Sequence, residues 1–215
     1  MCEGLTFREA MAFAHRRGLK GAVYNAAQKM RGWRAHKDCC KTAEDARVAG
    51  VELDDVLWTV WNVAKTNPQV RAQLYMWLTD CAARVLPLYE SASLSPIPRH
   101  RIETVRALAH KGEFAQLEQL GDGIEAYKMW NTATDEGKRT PALAAKCVAM
   151  GVHNLEGCCT WALIARWAVS EAAPRHKEAE ALNAEREWQY KRLAYRLSGA
   201  EVADLPLVHT ELVPV

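Results

Sequence analysis

The sequence lacks the features by which membrane proteins and β-sheet proteins are usually recognised. No apolar run approaches the roughly 20 residues that a membrane-spanning helix needs, which argues against a transmembrane protein. Val, Ile and Thr are sparse, and no stretch alternates between polar and apolar residues as a half-buried strand does. The first eleven residues carry Glu3, Arg8 and Glu9 and no apolar core of a signal peptide, so we expect a cytoplasmic protein.

The cysteines follow no pattern that is typical of disulfides or of a metal site. There are seven, an odd number, and their spacings do not resemble a disulfide framework, so we expect reduced thiols. Cys147, His153, Cys158 and Cys159 could be imagined as zinc ligands, but zinc ligands usually come as two groups of closely spaced residues. Buried core cysteines are the simpler interpretation of these thiols.

Local signatures of enzymes are also absent. The sequence has no nucleophile elbow, metalloprotease helix, phosphate loop or dinucleotide-binding motif. We therefore expect no catalytic residue, no metal and no cofactor. A thiol- or metal-dependent enzyme stays open as a third hypothesis, because seven cysteines and seven histidines allow many pairs.

Apolar residues are abundant, and they recur at helical spacing. One clear case is a face with an apolar residue every third or fourth position, made by Leu53, Val56, Leu57, Val60, Trp61 and Ala64. The overall composition, with 49% hydrophobic and 25% charged residues, is ordinary for a globular protein. We predict an all-α protein, a single bundle or array of about seven to nine helices.

We divide the chain into a basic N-terminal helical region at 1–70, a helical domain at 71–199 and a C-terminal tail at 200–215. Within the domain, a stretch of small residues at 142–172 keeps helical spacing, and Gly157 is positioned to break it in two. The last long helix is predicted at 175–198. Two apolar stripes run along it, separated by a polar row of Glu178, Glu185, Gln189, Arg192 and Arg196.

Charge is distributed unevenly, although the net charge is only +2. Positions 10–37 contain seven basic residues and no acid, and Tyr24 and Trp33 are interleaved with the basic residues. Such a run can contact phosphates and stack bases, or meet an acidic protein surface, but it can equally be a solvated helix face. The candidates for partner binding in this basic run are Arg16, Arg17, Lys20, Tyr24, Lys29, Arg31, Trp33, Arg34 and Lys37.

Several strings in the second half of the chain point to a family. Residues 80–90 have the sequence DCAARVLPLYE, residues 101–109 have RIETVRALA, and Gly112-Glu113 follows. The Ala-rich stretch 142–172 comes next, and then ERxWQ at 185–189 with Arg192-Leu193 after it. In this order and spacing, over about residues 74–197, the sequence resembles an all-helical family of immunity proteins from bacterial polymorphic-toxin systems. The resemblance implies an inhibitor that binds another protein and needs no catalytic residue.

The leading hypothesis is therefore a non-catalytic binding protein that neutralises a toxin or effector by occluding it. The alternative is a phage-type or accessory inhibitor of a nucleoprotein machine, in defence or transcription, which would use the basic N-terminal surface. We expect a protein partner in either case, while nucleic acid binding through the basic run and a homodimer stay open. No membrane partner is expected.

Charge reversal tests the alternative. Replacing Arg16, Arg17, Lys29 and Arg31 with Glu should abolish binding to a nucleoprotein target, because the attraction of the basic run for phosphates or acidic groups becomes repulsion. The measurement is the affinity of the full chain for that target, at one stated salt concentration. Unchanged activity in this variant would eliminate the alternative.

Overall fold

The computed structural model describes residues 43–48, 52–121, 123–135, 137 and 140–198. Within these ranges the chain is helical and contains no strand, which confirms the all-α prediction. None of the helices there combines the length and the apolar character that crossing a membrane requires. The nine α-helices of these ranges are α1 (Ala43–Val48), α2 (Leu53–Ala64), α3 (Pro68–Glu90), α4 (Ile97–Lys111), α5 (Phe114–Gln119), α6 (Gly123–Asp135), α7 (Pro141–Gly151), α8 (Cys158–Ala172) and α9 (Glu178–Ser198).

Helix α3 is the central element, and α2, α4, α7, α8 and α9 all pack against it. Its N-terminus is capped by the side chain of Asn67, which accepts a hydrogen bond from the backbone N–H of Val70 at 3.1 Å. Its core-facing residues Leu74, Leu78, Cys81 and Val85 recur at helical spacing, and all four are fully buried. Pro87 lies in the last turn of this helix, which ends at Glu90.

The small-residue stretch is broken into α7 and α8, as Gly157 predicts, by a connection at residues 152–157. The indole of Trp161 on α8 occupies the space that two glycines leave open. A Cβ atom on Gly151 would lie 2.3 Å from the Trp161 ring, and one on Gly157 would lie 2.7 Å from its Nε1 atom. Such distances are far below van der Waals contact, so only glycine allows this close packing.

Helix α9, which follows a short 3₁₀ turn at Arg175–Lys177, buries the middle of the polar row that separates its two apolar stripes, whereas Glu178 at its start is exposed. Glu185 and Gln189 are fully buried and Arg192 is 2% exposed, whereas Ala184 from one of the apolar stripes faces solvent. The reason is that α3 presents charges of opposite sign to this row. Hydropathy alone does not distinguish such a buried polar row from a solvated one.

One end of this interface is centred on Asp80, a carboxylate in the middle of α3 that is 1% exposed. Arg192 donates to it from Nε at 2.7 Å, and Arg196 donates from Nε and Nη2 at 2.8 and 2.9 Å. Arg106 of α4 donates from Nη2 at 3.0 Å. Three guanidinium groups on two helices therefore bind one buried carboxylate of a third helix.

The other end pairs Arg84 of α3 with Glu185 of α9 at 2.7 Å, with both side chains buried. Gln189 links three helices, because its backbone carbonyl accepts from Trp77 Nε1 at 2.8 Å and its amide donates to the Ala162 carbonyl at 3.0 Å. These groups make up what we call the polar seam: Asp80, Arg84, Arg106, Glu185, Gln189, Arg192 and Arg196.

Removing the Asp80 charge should strongly destabilise the protein. In Asp80→Asn, three guanidinium groups lose the one carboxylate that they contact among the described residues, so we expect the free energy of unfolding to fall by about 3–5 kcal/mol. Urea denaturation measures this. The matched control is Glu90→Gln, which breaks the exposed bidentate pair with Arg99 and should cost about 0–1 kcal/mol. Equal losses in the two variants would contradict a structural role for the polar seam.

Candidate functional site

The partner-binding candidates of the basic run lie outside the residues that the structure describes. This holds for all nine of them, Arg16, Arg17, Lys20, Tyr24, Lys29, Arg31, Trp33, Arg34 and Lys37. Their role stays a prediction.

The four residues considered as zinc ligands are distributed over three segments. Cys147 is buried in α7, where its thiol donates to the Ala126 carbonyl at 3.1 Å and burial raises its pKa to about 12. Cys158 and Cys159 begin α8, and His153 lies in the preceding connection. Among the described residues, no group of three or more His, Cys, Asp or Glu side chains is arranged to hold a metal ion.

The candidate site is a groove of about 440 Å³ that opens to solvent. Four segments line it: the end of α2, the first turns of α3, the end of α5 and the connection between α7 and α8. Its volume lies in the range that protein pockets use to hold a small ligand or a side-chain cluster. The lining residues are Trp61, Ala64, Lys65, Arg71, Tyr75, Glu118, Gly121, His153, Asn154, Leu155 and Glu156.

The corner between α2 and α3 is held by Arg71. Its Nε atom donates to the Ala64 carbonyl at 2.9 Å and its Nη2 atom to the Lys65 carbonyl at 3.0 Å. These are carbonyls at the end of α2, where a cation also interacts favourably with the helix dipole. The guanidinium of Arg71 is therefore committed to capping a helix, and it fixes the wall of the groove.

The rings of Trp61 and Tyr75 line the groove, and neighbouring side chains hold them in place. The Lys65 ammonium lies 3.4 Å from the centroid of the Trp61 ring, in cation–π geometry. Tyr75 stacks on Phe114 with centroids 6.1 Å apart, and Arg71 lies 5.2 Å from the same Phe114 ring. These contacts keep the aromatic faces in place before any ligand arrives, which reduces the entropy cost of binding.

The third wall is the connection between α7 and α8. Asn154 organises it, because its backbone N–H donates to the Gly151 carbonyl at 2.9 Å and its side-chain oxygen accepts from the Gly157 N–H at 3.1 Å. This turn places His153, which is 9% exposed, Leu155 and the exposed Glu156 along the groove. The packing of Trp161 against the two flanking glycines holds the turn in position.

Formal charges in the groove are balanced. Two cations, Lys65 and Arg71, and two carboxylates, Glu118 and Glu156, line it, and Arg71 and Glu118 lie 3.8 Å apart. Burial, reinforced by the charge of Glu118, raises the pKa of Tyr75 to about 12, so its hydroxyl is neutral at physiological pH. Aromatic faces with a mixed-charge rim suit the side chains of a protein partner.

Sequence reasoning missed most of this groove. Trp61 was expected in the core and His153 was considered only as a metal ligand, whereas Arg71, Glu118 and Glu156 carried no signal at all. The start of α3 at Asn67-Pro68 gives one local hint. It places Arg71 seven residues after Ala64, where its side chain can cap the end of α2. The four walls come from separate segments, so no spacing in the sequence connects them.

Comparison with known proteins adds no relative. The sequence matches no protein-family model, and no curated protein or solved structure matches it significantly.

The raised pKa of Tyr75 predicts a loss of stability at high pH. The folded protein holds this pKa near 12 against 10.0 for an ordinary tyrosine, so the folded state resists ionisation. The contribution is intact below pH 10 and is lost as the pH rises towards 12. Tyr75→Phe should remove this part of the pH dependence, as urea unfolding from pH 9 upwards would show. The expectation fails if wild type and variant lose stability in parallel over this window.

Proposed function

We propose that the chain is a non-catalytic helical binding protein of the immunity type, which neutralises a toxin or effector by covering its functional surface. The proposal rests on the resemblance of residues 74–197 to that family, together with one structural observation about the residues that carry it.

That observation is that the two most distinctive strings meet in space. Residues 80–90 lie on α3 and residues 185–192 lie on α9, and their contacts form part of the polar seam. Arg84 binds Glu185, and Asp80 binds Arg192, across sequence separations of 101 and 112 residues. Two strings that recur together in a family would be expected to depend on each other in this way. Their role is to hold the scaffold, which leaves partner recognition to the surface.

The groove supports binding as the activity of that surface. Its rings are held by Lys65 and by Phe114, its corner by Arg71, and its charges are balanced between cations and carboxylates. A protein side chain entering it would contact aromatic faces and be surrounded by polar groups that exclude water, which is the arrangement of binding hot spots. The groove would then be one part of a larger contact, because specific interfaces bury about 800 Å² on each partner.

The direct test uses a toxin encoded beside the gene for this chain. Co-expression of the two proteins should rescue growth of toxin-expressing cells, and the two should co-purify as a stable complex. Failure to bind or to protect against every product of the neighbouring genes would count heavily against the proposal.

Charge variants then locate the interface. Glu118→Arg and Glu156→Arg alter exposed groove residues and should weaken toxin binding about tenfold or more, as expected for removal of a rim contact and its replacement by repulsion. The matched control is Glu180→Arg, an exposed position in the first turn of α9 that does not line the groove. Isothermal titration calorimetry measures the three affinities. An equal effect of all three variants would place the interface elsewhere.

The nucleoprotein-inhibitor hypothesis remains the second candidate, because seven basic residues without an acid at positions 10–37 favour contact with phosphates or an acidic surface. The two candidates differ in the residues they require. Reversal of the basic run should abolish activity under the second candidate, whereas the groove variants should leave it unchanged.

A further inference from the structure

The Asp80 end of the polar seam carries more positive charge than its carboxylate offsets. Arg106, Arg192 and Arg196 all contact Asp80, and within the described part of the chain none of the three is paired with another carboxylate. The Glu185 carboxylate is engaged by Arg84 and by Gln189 at the other end of the seam. Three guanidinium groups and one carboxylate leave a formal charge of +2 at one place.

One of these guanidinium groups is also incompletely hydrogen-bonded in a buried position. Arg192 is 2% exposed, and its Nη1 atom has no contact with solvent and no hydrogen-bond partner among the residues that the structure describes. A buried donor of a charged group without an acceptor is costly, because it loses water and gains nothing in return. The site therefore lacks an acceptor as well as negative charge.

The site is reachable from solvent. Arg106 has a side chain that is 31% exposed and Arg196 one that is 11% exposed, so these two groups form the outer side of the cluster. Both side chains donate from Nε and Nη2, to Asp80 and, for Arg106, also to Thr79. The Nη1 group of each is left without a protein partner among the described residues.

We propose that Arg106, Arg192 and Arg196 form a binding site for a small free oxyanion of the phosphate or sulfate type. The planar guanidinium fork suits oxyanions, since two N–H groups can bind two oxygen atoms of one anion. A dianion offsets the excess charge of +2, and its oxygen atoms can accept from the outer Nη1 groups of Arg106 and Arg196. The bound anion ties α4 to α9 around Asp80, so it stabilises the polar seam.

This inference is independent of the proposed function, because it concerns a different face of α3 and requires no protein partner.

The experiment uses the full chain and inorganic phosphate as the probe. Phosphate is titrated at constant ionic strength, set with sodium chloride, while the thermal unfolding midpoint is recorded and heats of binding are measured by calorimetry. Specific binding should raise the midpoint and then saturate, because stabilisation follows site occupancy. General exclusion of phosphate from the protein surface would raise the midpoint without saturation.

Three variants decide the matter. Arg106→Gln and Arg196→Gln each remove one charge and one fork, and each should weaken phosphate binding about tenfold. Arg106→Lys keeps the charge and the seam but loses the fork, so it should also bind more weakly even if the Gln variants unfold. The matched control is Arg99→Gln, an exposed arginine of α4 outside the cluster, which should bind phosphate as wild type does. No saturable effect in wild type, or an equal effect in all variants, overturns the proposal.

Discussion

The buried ion pairs between α3 and α9 are the interaction on which the rest of the structure depends. Charges removed from water cost several kcal/mol each, and this cost is offset only when partners meet at hydrogen-bonding distance. Asp80 and Arg192 meet at 2.7 Å, as do Arg84 and Glu185. Because a shift of α9 along α3 would separate both pairs at once, the polar seam fixes the register of the two helices in a way that apolar packing alone would not.

Helix α8 connects α9 to the groove by contacts at both. Gln189 donates to a carbonyl of α8 and Trp161 of α8 packs on the glycines that flank the turn bearing His153. The same α3 that carries the polar seam also carries Arg71 and Tyr75 in its first turns. The polar seam and the candidate groove thus share one helix, so a change in the seam can alter the geometry of the groove without touching it.

Much of the helical architecture could be predicted from local patterns. The apolar repeat of α2, the seam of α3 and the break before Cys158 all appear in the structure where the spacing places them. The continuation of α3 through Pro87 was not predicted, since it needs tertiary packing to outweigh a lost backbone donor. The burial of Glu185 and Arg192 was missed as well, because a charged row on a helix normally faces water.

The amino-acid sequence by itself determined the helical class and the approximate extent of most helices, since helix formation depends on residues within a few positions of one another. It also identified the strings at residues 80–90 and 185–192, but it could not reveal that they bind each other. Only the tertiary structure decided which face of α9 is buried, how three guanidinium groups gather on Asp80, and which four segments form the groove. Those features join residues far apart in the chain, and their energy depends on distance and burial rather than on spacing.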